Sequence, residues 1–331
     1  MKVLFIGGTG IISSACSQLA ISRGMDLYHL NRGQTSSLRP IEGVKHIAAN
    51  IRDLENTKKE LESHHFDVVV DFISFKKEHI KNSIALFSGK TGQFVFISSA
   101  SAYQTPPEKL PVTENTVLDN PYWQYSRDKI DCEVILRDAY DRNGFPYTIV
   151  RPSHTYDKTT IPLIGGYTSL QRLKQGRLVI VPGDGTSIWT LTHHKDFAVG
   201  FLGLFGKSEA INNDFHITSD EWLTWNQIYK LFAKELNVDA NFFYVPSNII
   251  AKYDKDLGDG LLGDKMHSMI FDNSKIKSLV PEFNAKIQFG EGVKEIVSWY
   301  ENFTMPERFD LELDRKMDNI INDYSIDPLI R

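Results

Sequence analysis

Val3-Leu4-Phe5-Ile6-Gly7-Gly8-Thr9-Gly10-Ile11-Ile12-Ser13 is the stretch whose reading decides the fold. Four apolar residues in a row mark a strand buried on both faces. The glycines after them let the backbone turn tightly and approach a pyrophosphate. The amphipathic stretch that follows sets a helix N-terminus over the turn, with free N–H groups and a positive dipole end. Gly7, Gly10 and Ser13 occupy the three small-residue positions, and Ser13 is small enough for close helix–sheet packing in place of a third glycine. A turn that binds nothing is disfavoured because the strand and helix contexts both fit.

Outward from this turn, short β-rich runs alternate with helical periodicity. Strands are predicted over 2–6, 26–30, 45–48, 67–71, 93–98 and 148–151, and helices near 12–23, 54–64, 77–87 and 123–142. Such alternation implies an α/β fold, a doubly wound parallel sheet with helices on both faces. Ligands of such sheets bind outside the carboxyl ends of the strands. After Arg151 the segments shorten and Gly, Pro and aromatic residues increase, as in 162–167 and 181–189. The division predicted is a dinucleotide-binding domain over 1–151, with strand and helix returns near 187–220, and a smaller mixed substrate-binding domain over 152–331. Within the latter, a strand is expected at 214–218 and helices near 224–236, 290–301 and 312–323. The charged tail, 306–331, reads as a surface helix or an oligomer contact.

The chain has 331 residues, 41% of them hydrophobic and 24% charged, an ordinary composition for a globular protein. A formal net charge of −5 gives no overall attraction to nucleic acid or to anionic membranes. Cys16 and Cys132 fall in helical patterns without a CxxC spacing and read as small apolar fillers in a reducing compartment. The first strand begins at Lys2, leaving no room for a signal peptide before it, and no apolar run reaches the length of a membrane span. A cytoplasmic protein is expected.

A second motif, Tyr125-Ser126-Arg127-Asp128-Lys129, places a phenol and an ammonium on one helix face. There the lysine charge favours the phenolate and gives a base that works near neutral pH. Ser98-Ser99 ends the fifth strand upstream. The three motifs together point to nicotinamide-dependent redox chemistry. Tyr125 is the candidate proton acceptor, Lys129 lowers its pKa and grips the nicotinamide ribose, and Ser99 holds the reacting oxygen.

Other cofactor contacts follow from position. Gly7, Thr9, Gly10, Ile11 and Ile12 form the phosphate turn, while Asn50 and Ile51 flank an adenine ring. Phe72 and Ile73 end the fourth strand where backbone passes the pyrophosphate, and Lys76 follows close enough to reach a phosphate. Ser98, Pro152 and Ser153 lie at strand ends beside the nicotinamide. At the end of the second strand stands Asn31-Arg32, with no carboxylate for a ribose 2′-hydroxyl and a guanidinium for a 2′-phosphate. The cofactor is NAD or NADP, and Arg32 favours NADP, although an exposed loop arginine fits the same residues.

These motifs resemble the extended or atypical short-chain dehydrogenase/reductase superfamily, in its NAD-dependent epimerase/dehydratase branch. The similarity covers roughly residues 1 to 304. Further matching stretches are Phe96-Ile97-Ser98-Ser99, Val150-Arg151-Pro152, Val181-Pro182-Gly183-Asp184-Gly185, Thr192-His193-His194-Lys195-Asp196 and Phe215-His216-Ile217-Thr218. The resemblance implies a doubly wound cofactor domain, a small C-terminal substrate domain, and Ser99, Tyr125 and Lys129 as the catalytic set. It implies a sugar or nucleotide-sugar substrate and, through the helix face bearing Tyr125, a homodimer. Departures from the family pattern are Ile6 before the glycines, Asn31 and Asn50 for common aspartates, and His154 for an asparagine. No Asp-Glu pair follows Ser99, which disfavours a dehydratase and leaves epimerase or net oxidoreductase.

Ser99, Ala100, Trp123, His154 and Trp189 are the candidate substrate contacts. His154 fits a substrate hydrogen bond or a plain loop position, and Trp189 fits a pocket wall or buried filler. The adjacent histidine pairs 64–65 and 193–194 lack ligand spacing, so no metal is expected. Asp196 is expected to cap the helix after it. A rival reading is a non-catalytic dinucleotide-binding or RNA-binding protein on the same fold, since relatives of this superfamily include stem-loop RNA binders. Keeping Ser99, Tyr125 and Lys129 together, and the acidic net charge, argue against it.

Overall fold

The computed structural model describes residues 1–32, 39–302 and 308–326. Its centre is a seven-stranded sheet built from β1 (Lys2–Ile6), β2 (Asp26–Asn31), β3 (Lys45–Ala48), β4 (Phe66–Asp71), β5 (Thr91–Ile97), β6 (Tyr147–Pro152) and, far along the chain, β11 (Asn213–Ile217). Every pairing in the order β11-β6-β5-β4-β1-β2-β3 is parallel.

The apolar runs explain the layers, because successive side chains of a strand face opposite ways. Val3 and Phe5 of β1, Val68 and Val70 of β4, and Val95 of β5 join one core. Leu4 and Ile6, Val69, and Phe94 and Phe96 join the other. The first core is closed by α1 (Ile11–Ser22) and α6 (His194–Gly203), through Ala15, Cys16, Ala20, Phe197 and Phe201. The second is closed by α3 (Lys77–Phe87) and α4 (Gln124–Asn143), through Ile80, Leu86, Cys132 and Leu136. A short α2 (Leu54–Glu60) follows β3 and stops a turn before the predicted end. The fold is the doubly wound α/β arrangement, and Cys16 and Cys132 are buried thiols, one in each core.

The rest of the chain makes a third core around Trp189, Trp225, Tyr229 and Phe289. Its strands come in pairs. β7 (His154–Tyr156) runs beside β10 (Leu191–His193), β8 (Val179–Pro182) beside β13 (Phe242–Val245), and β9 (Ile188–Trp189) against β12 (Leu223–Thr224). Around them lie α5 (Tyr167–Lys174), α7 (Trp225–Leu236), α8 (Ser247–Tyr253), α9 (Lys255–Gly260), α11 (Phe289–Asn302) and α12 (Leu311–Ile326), whereas α10 (Ser274–Leu279) returns to the first core through Ile276.

Two expectations need correction. Asp196 does not cap α6: the His193 ring does, accepting from the Lys195 amide at 3.3 Å, while Asp196 accepts from the Ile287 amide at 2.8 Å. The C-terminal helix is not a free surface element either. Met317, Ile320 and Ile321 are buried in the third core, and Asp314 and Asp318 bind the buried Arg172 guanidinium at 2.6 and 2.7 Å. Residues 303–307 and 327–331 of the predicted tail lie outside the described residues. No described helix is long and apolar enough to cross a membrane.

Candidate active site

The glycine turn between β1 and α1 is built for close approach. Gly7 sits at φ +87°, and a Cβ there would lie 2.4 Å from Ile73. At Gly8 a Cβ would lie 2.3 Å from the ring of His29, a buried residue of β2 whose Nε2 is 2.8 Å from Ser17 Oγ. Burial, with His46 nearby, pushes His29 down to about 4, so the ring is neutral. Ser13 does more than replace a glycine. Its hydroxyl accepts from the Gly10 amide and donates to the Gly7 carbonyl, both at 2.8 Å, and so closes the turn onto the helix start.

Beside the turn, Gly7, Thr9, Asn31, Arg32, Asn50 and Ile51 line a cavity of about 330 Å³, with Ile73 at its wall. Arg32 is exposed at its edge. A second cavity of about 360 Å³ opens at the carboxyl ends of β4, β5 and β6. It brings together Ser99, Tyr125 and Lys129, together with Ala100, Trp123, His154 and Trp189. Ile12, Phe72, Ser98, Pro152 and Ser153 line it as well. Gly10 and Ile11 belong to the turn itself. Lys76 lines neither cavity and stands exposed at the N-cap of α3.

The electrostatics of the pair differ from expectation. Lys129 Nζ is buried and donates to the carbonyls of Ser74 at 2.7 Å and Ile97 at 2.8 Å. Burial brings it down to about 8. Its Nζ lies 5.7 Å from the centroid of the Tyr125 ring. Tyr125 is pushed above the ordinary phenol value by burial, which outweighs the opposing hydroxyl of Ser99, and Asp264 adds to the rise. The phenol is therefore protonated at neutral pH rather than poised as phenolate: desolvation prevails over a cation already turned to two carbonyl dipoles.

The supports are buried and polar. Asp71 at the end of β4 accepts from the amides of Ile73 and Ser74 and from the hydroxyls of Ser74 and Ser83, which fixes the loop whose carbonyl holds Lys129. Glu133, one turn beyond Lys129, accepts from Ser98 Oγ at 2.6 Å and pairs with Arg151 of β6 at 2.6 and 2.9 Å. Ser98 thus turns its hydroxyl inward to Glu133 while still lining the cavity. Arg151 also reaches Asp214 of β11 at 2.6 Å and Tyr103 Oη at 3.0 Å. At the outer wall, His154 Nε2 is 2.6 Å from Asp264 Oδ2, and the His154 and Trp189 rings stand 3.8 Å apart. Burial lowers His154. Burial also pushes Asp264 up, yet the charge and hydrogen bonds of His154 and Lys265 hold it below the ordinary carboxylate value.

The profile of the NAD dependent epimerase/dehydratase family matches residues 3–217. The chain belongs to that family. Among curated relatives it is 26% identical over 245 residues to the chloroplast stem-loop binding protein of 41 kDa b from Arabidopsis thaliana, covering 70% of this chain and 62% of that one. It is 30% identical over 169 residues to the UDP-glucose 4-epimerase of Lactobacillus helveticus, covering 46% and 51%. The chain therefore spans about half to three-fifths of the length of these relatives. The UDP-glucose 4-epimerase of Thermotoga maritima, solved with UDP-glucose, superposes with a TM-score of 0.73 at 19% identity over 91% of this chain and 99% of that one, which shows the fold.

Several residues that shape this family member's cleft were outside the sequence reading. Asn120 is one: its amide donates to the carbonyls of Ser101 at 2.8 Å and Gly263 at 2.6 Å, and its oxygen accepts from the amides of Tyr122 and Trp123. It ties the start of α4 to both walls. Asp264 is another, carried on a π-type turn over Leu261–Lys265, an uncommon conformation frequent at functional sites. Neither has a local sequence signature. Asp71, at a predicted strand end, had the positional signal without the role.

Proposed function

We propose that this protein catalyses NAD(P)-dependent oxidation and reduction at a hydroxyl- or keto-bearing carbon of a sugar-like substrate, ending in epimerisation or in net redox. The observation that carries the reading is the convergence of Ser99, Tyr125 and Lys129 on one cavity at the strand ends where the glycine turn leads into α1. The nicotinamide, when bound, exchanges hydride with the substrate carbon. Tyr125 holds the proton of the substrate oxygen. Protonated in this environment, it donates to a developing alkoxide, and it takes the proton back in the opposite direction. Ser99 hydrogen-bonds the same oxygen. Lys129 has two N–H bonds committed to carbonyls, which leaves a third for the cofactor ribose.

Residues 1–151, with the returns near 187–220, would hold the cofactor, and 152–331 would shape the substrate side. Arg32 favours NADP through its 2′-phosphate. A 2′-phosphate contact predicts that Arg32→Ala weakens NADP binding and spares NAD; equal loss of both would rule it out. Tyr125→Phe should lower turnover by roughly 10²–10⁴-fold while cofactor still binds, read as sugar-dependent formation of reduced cofactor for net redox and as appearance of the epimeric sugar for epimerisation. Turnover close to wild type would sink the assignment.

The likeness to a stem-loop binding protein supports a second reading, an RNA-binding role on this fold. A net charge of −5 opposes it. A gel-shift titration with stem-loop RNA distinguishes the two, and salt-sensitive binding with no nucleotide affinity would favour RNA.

A further inference from the structure

We propose that the substrate of this cleft is an uncharged hydroxyl compound, a free or glycosidic sugar, rather than a sugar carrying a nucleoside diphosphate; this rests on the functional reading above. A diphosphate is held by guanidinium or ammonium groups, or by free helix N-termini. Among the described residues lining the cavity, the charged side chains are Lys129 and Asp264. Lys129 lies at the floor, bound to the carbonyls of Ser74 and Ile97. Asp264 lies on the outer wall, paired with His154 at 2.6 Å.

Lys265 stands beside that wall and is occupied. Its Nζ lies 3.4 Å from Asp264 Oδ2 and 5.2 and 5.7 Å from the ring centroids of Trp123 and Trp189. It neutralises the carboxylate without leaving a surplus positive charge. Farther out, beyond Met266 and Ser268, a cavity of about 400 Å³ is bordered by Pro182–Ser187 and Pro246–Asn248; its charged lining side chain among the described residues is again an acid, Asp184.

Cations do gather beside α1, but in a separate cavity, where Arg39 is paired with Asp157 at 2.6 Å, Lys195 with Glu295 at 3.5 Å, and Lys158 is exposed. What the substrate wall offers instead suits neutral hydroxyls. Ser99 Oγ and the His154 ring both line it. The second nitrogen of His154 has no protein partner among the described residues, and the side chain is 27% exposed. Trp123 and Phe271 add aromatic surface for the C–H face of a sugar ring.

The test is calorimetric titration of the full chain saturated with NAD or NADP, which blocks the nucleotide cavity, using UDP, UDP-glucose and the methyl glycosides of glucose, galactose and mannose as probes. The expected result is that at least one glycoside binds, that UDP does not, and that UDP-glucose binds no more tightly than the glycoside. Asp264→Asn should then raise UDP-glucose affinity by about tenfold at low salt, because Lys265 loses its paired carboxylate and its positive charge is left over at the wall. UDP-glucose binding to the wild type a hundredfold more tightly than any glycoside would overturn the inference, as would the failure of all three glycosides to bind. Neither outcome touches the redox reading, which fails only if neither cofactor saturates the protein or if Tyr125→Phe keeps its turnover.

Discussion

Lys129 and Tyr125 share a helix face, yet their environments move them in ways that spacing alone does not reveal. The ammonium is brought down to about 8 by burial, so between that value and the ordinary lysine range the unfolded chain binds a proton that the folded one has released. Stability contributed by this residue therefore rises with pH across that window and is lowest below it. Denaturant unfolding at pH 7 and pH 10 should show the wild type gaining on Lys129→Met by about 2–3 kcal/mol. A constant difference would mean that Lys129 keeps its ordinary pKa. At this scale the sequence was legible where chemistry repeats at a short spacing, as in Tyr125-x-x-x-Lys129 or the glycine turn. Asp264 and Asn120 were not legible, because Asp264 acts on His154, 110 positions away, and Asn120 on the Ser101 and Gly263 carbonyls, 19 and 143 positions away. Ser98 shows the converse: position at a strand end was read correctly, but not the inward turn of its hydroxyl toward Glu133.

Two elements carry the site, and each is fixed from the interior, one by buried charge and one by close packing. α4 is fixed to β6 and β11 through Glu133, Arg151 and Asp214, with Glu133 and Arg151 almost wholly inaccessible. Removing one partner strands the other's charge in the interior. Glu133→Gln should cost about 3–5 kcal/mol of unfolding free energy by denaturant titration, and a loss under about 1 kcal/mol would show that the guanidinium finds water instead. The turn between β1 and α1 is held by contact rather than charge. Gly8→Ala drives a methyl into His29, a cost of about 1–3 kcal/mol, and His29→Ala in the same chain should recover part of it. Strand and helix periodicity revealed these elements, since alternate residues of β1, β4 and β5 feed opposite cores. The Gly8–His29 contact was hidden, because it joins two strands whose register no local pattern states.

Across the whole molecule, the parallel sheet gathers strand ends from residues 6, 71, 97 and 152 at one edge, and the third core lays a second wall over them. The doubly wound half was legible because long apolar strands leave few alternatives. The other half was not, since its strands are two to four residues long and are fixed by packing around Trp189 and Trp225. The same packing turned the charged C-terminal helix into part of that core. The account's central claim is that the glycine turn and the Ser99–Tyr125–Lys129 cavity form one nicotinamide site. Titrating the purified protein with NADH and NADPH, followed by nicotinamide fluorescence, tests it most directly. The account predicts saturable binding of one cofactor per chain, lost in a variant that blocks the Gly7–Gly8 turn and kept in Tyr125→Phe. Absence of binding by either nucleotide, or binding indifferent to the turn, would contradict it.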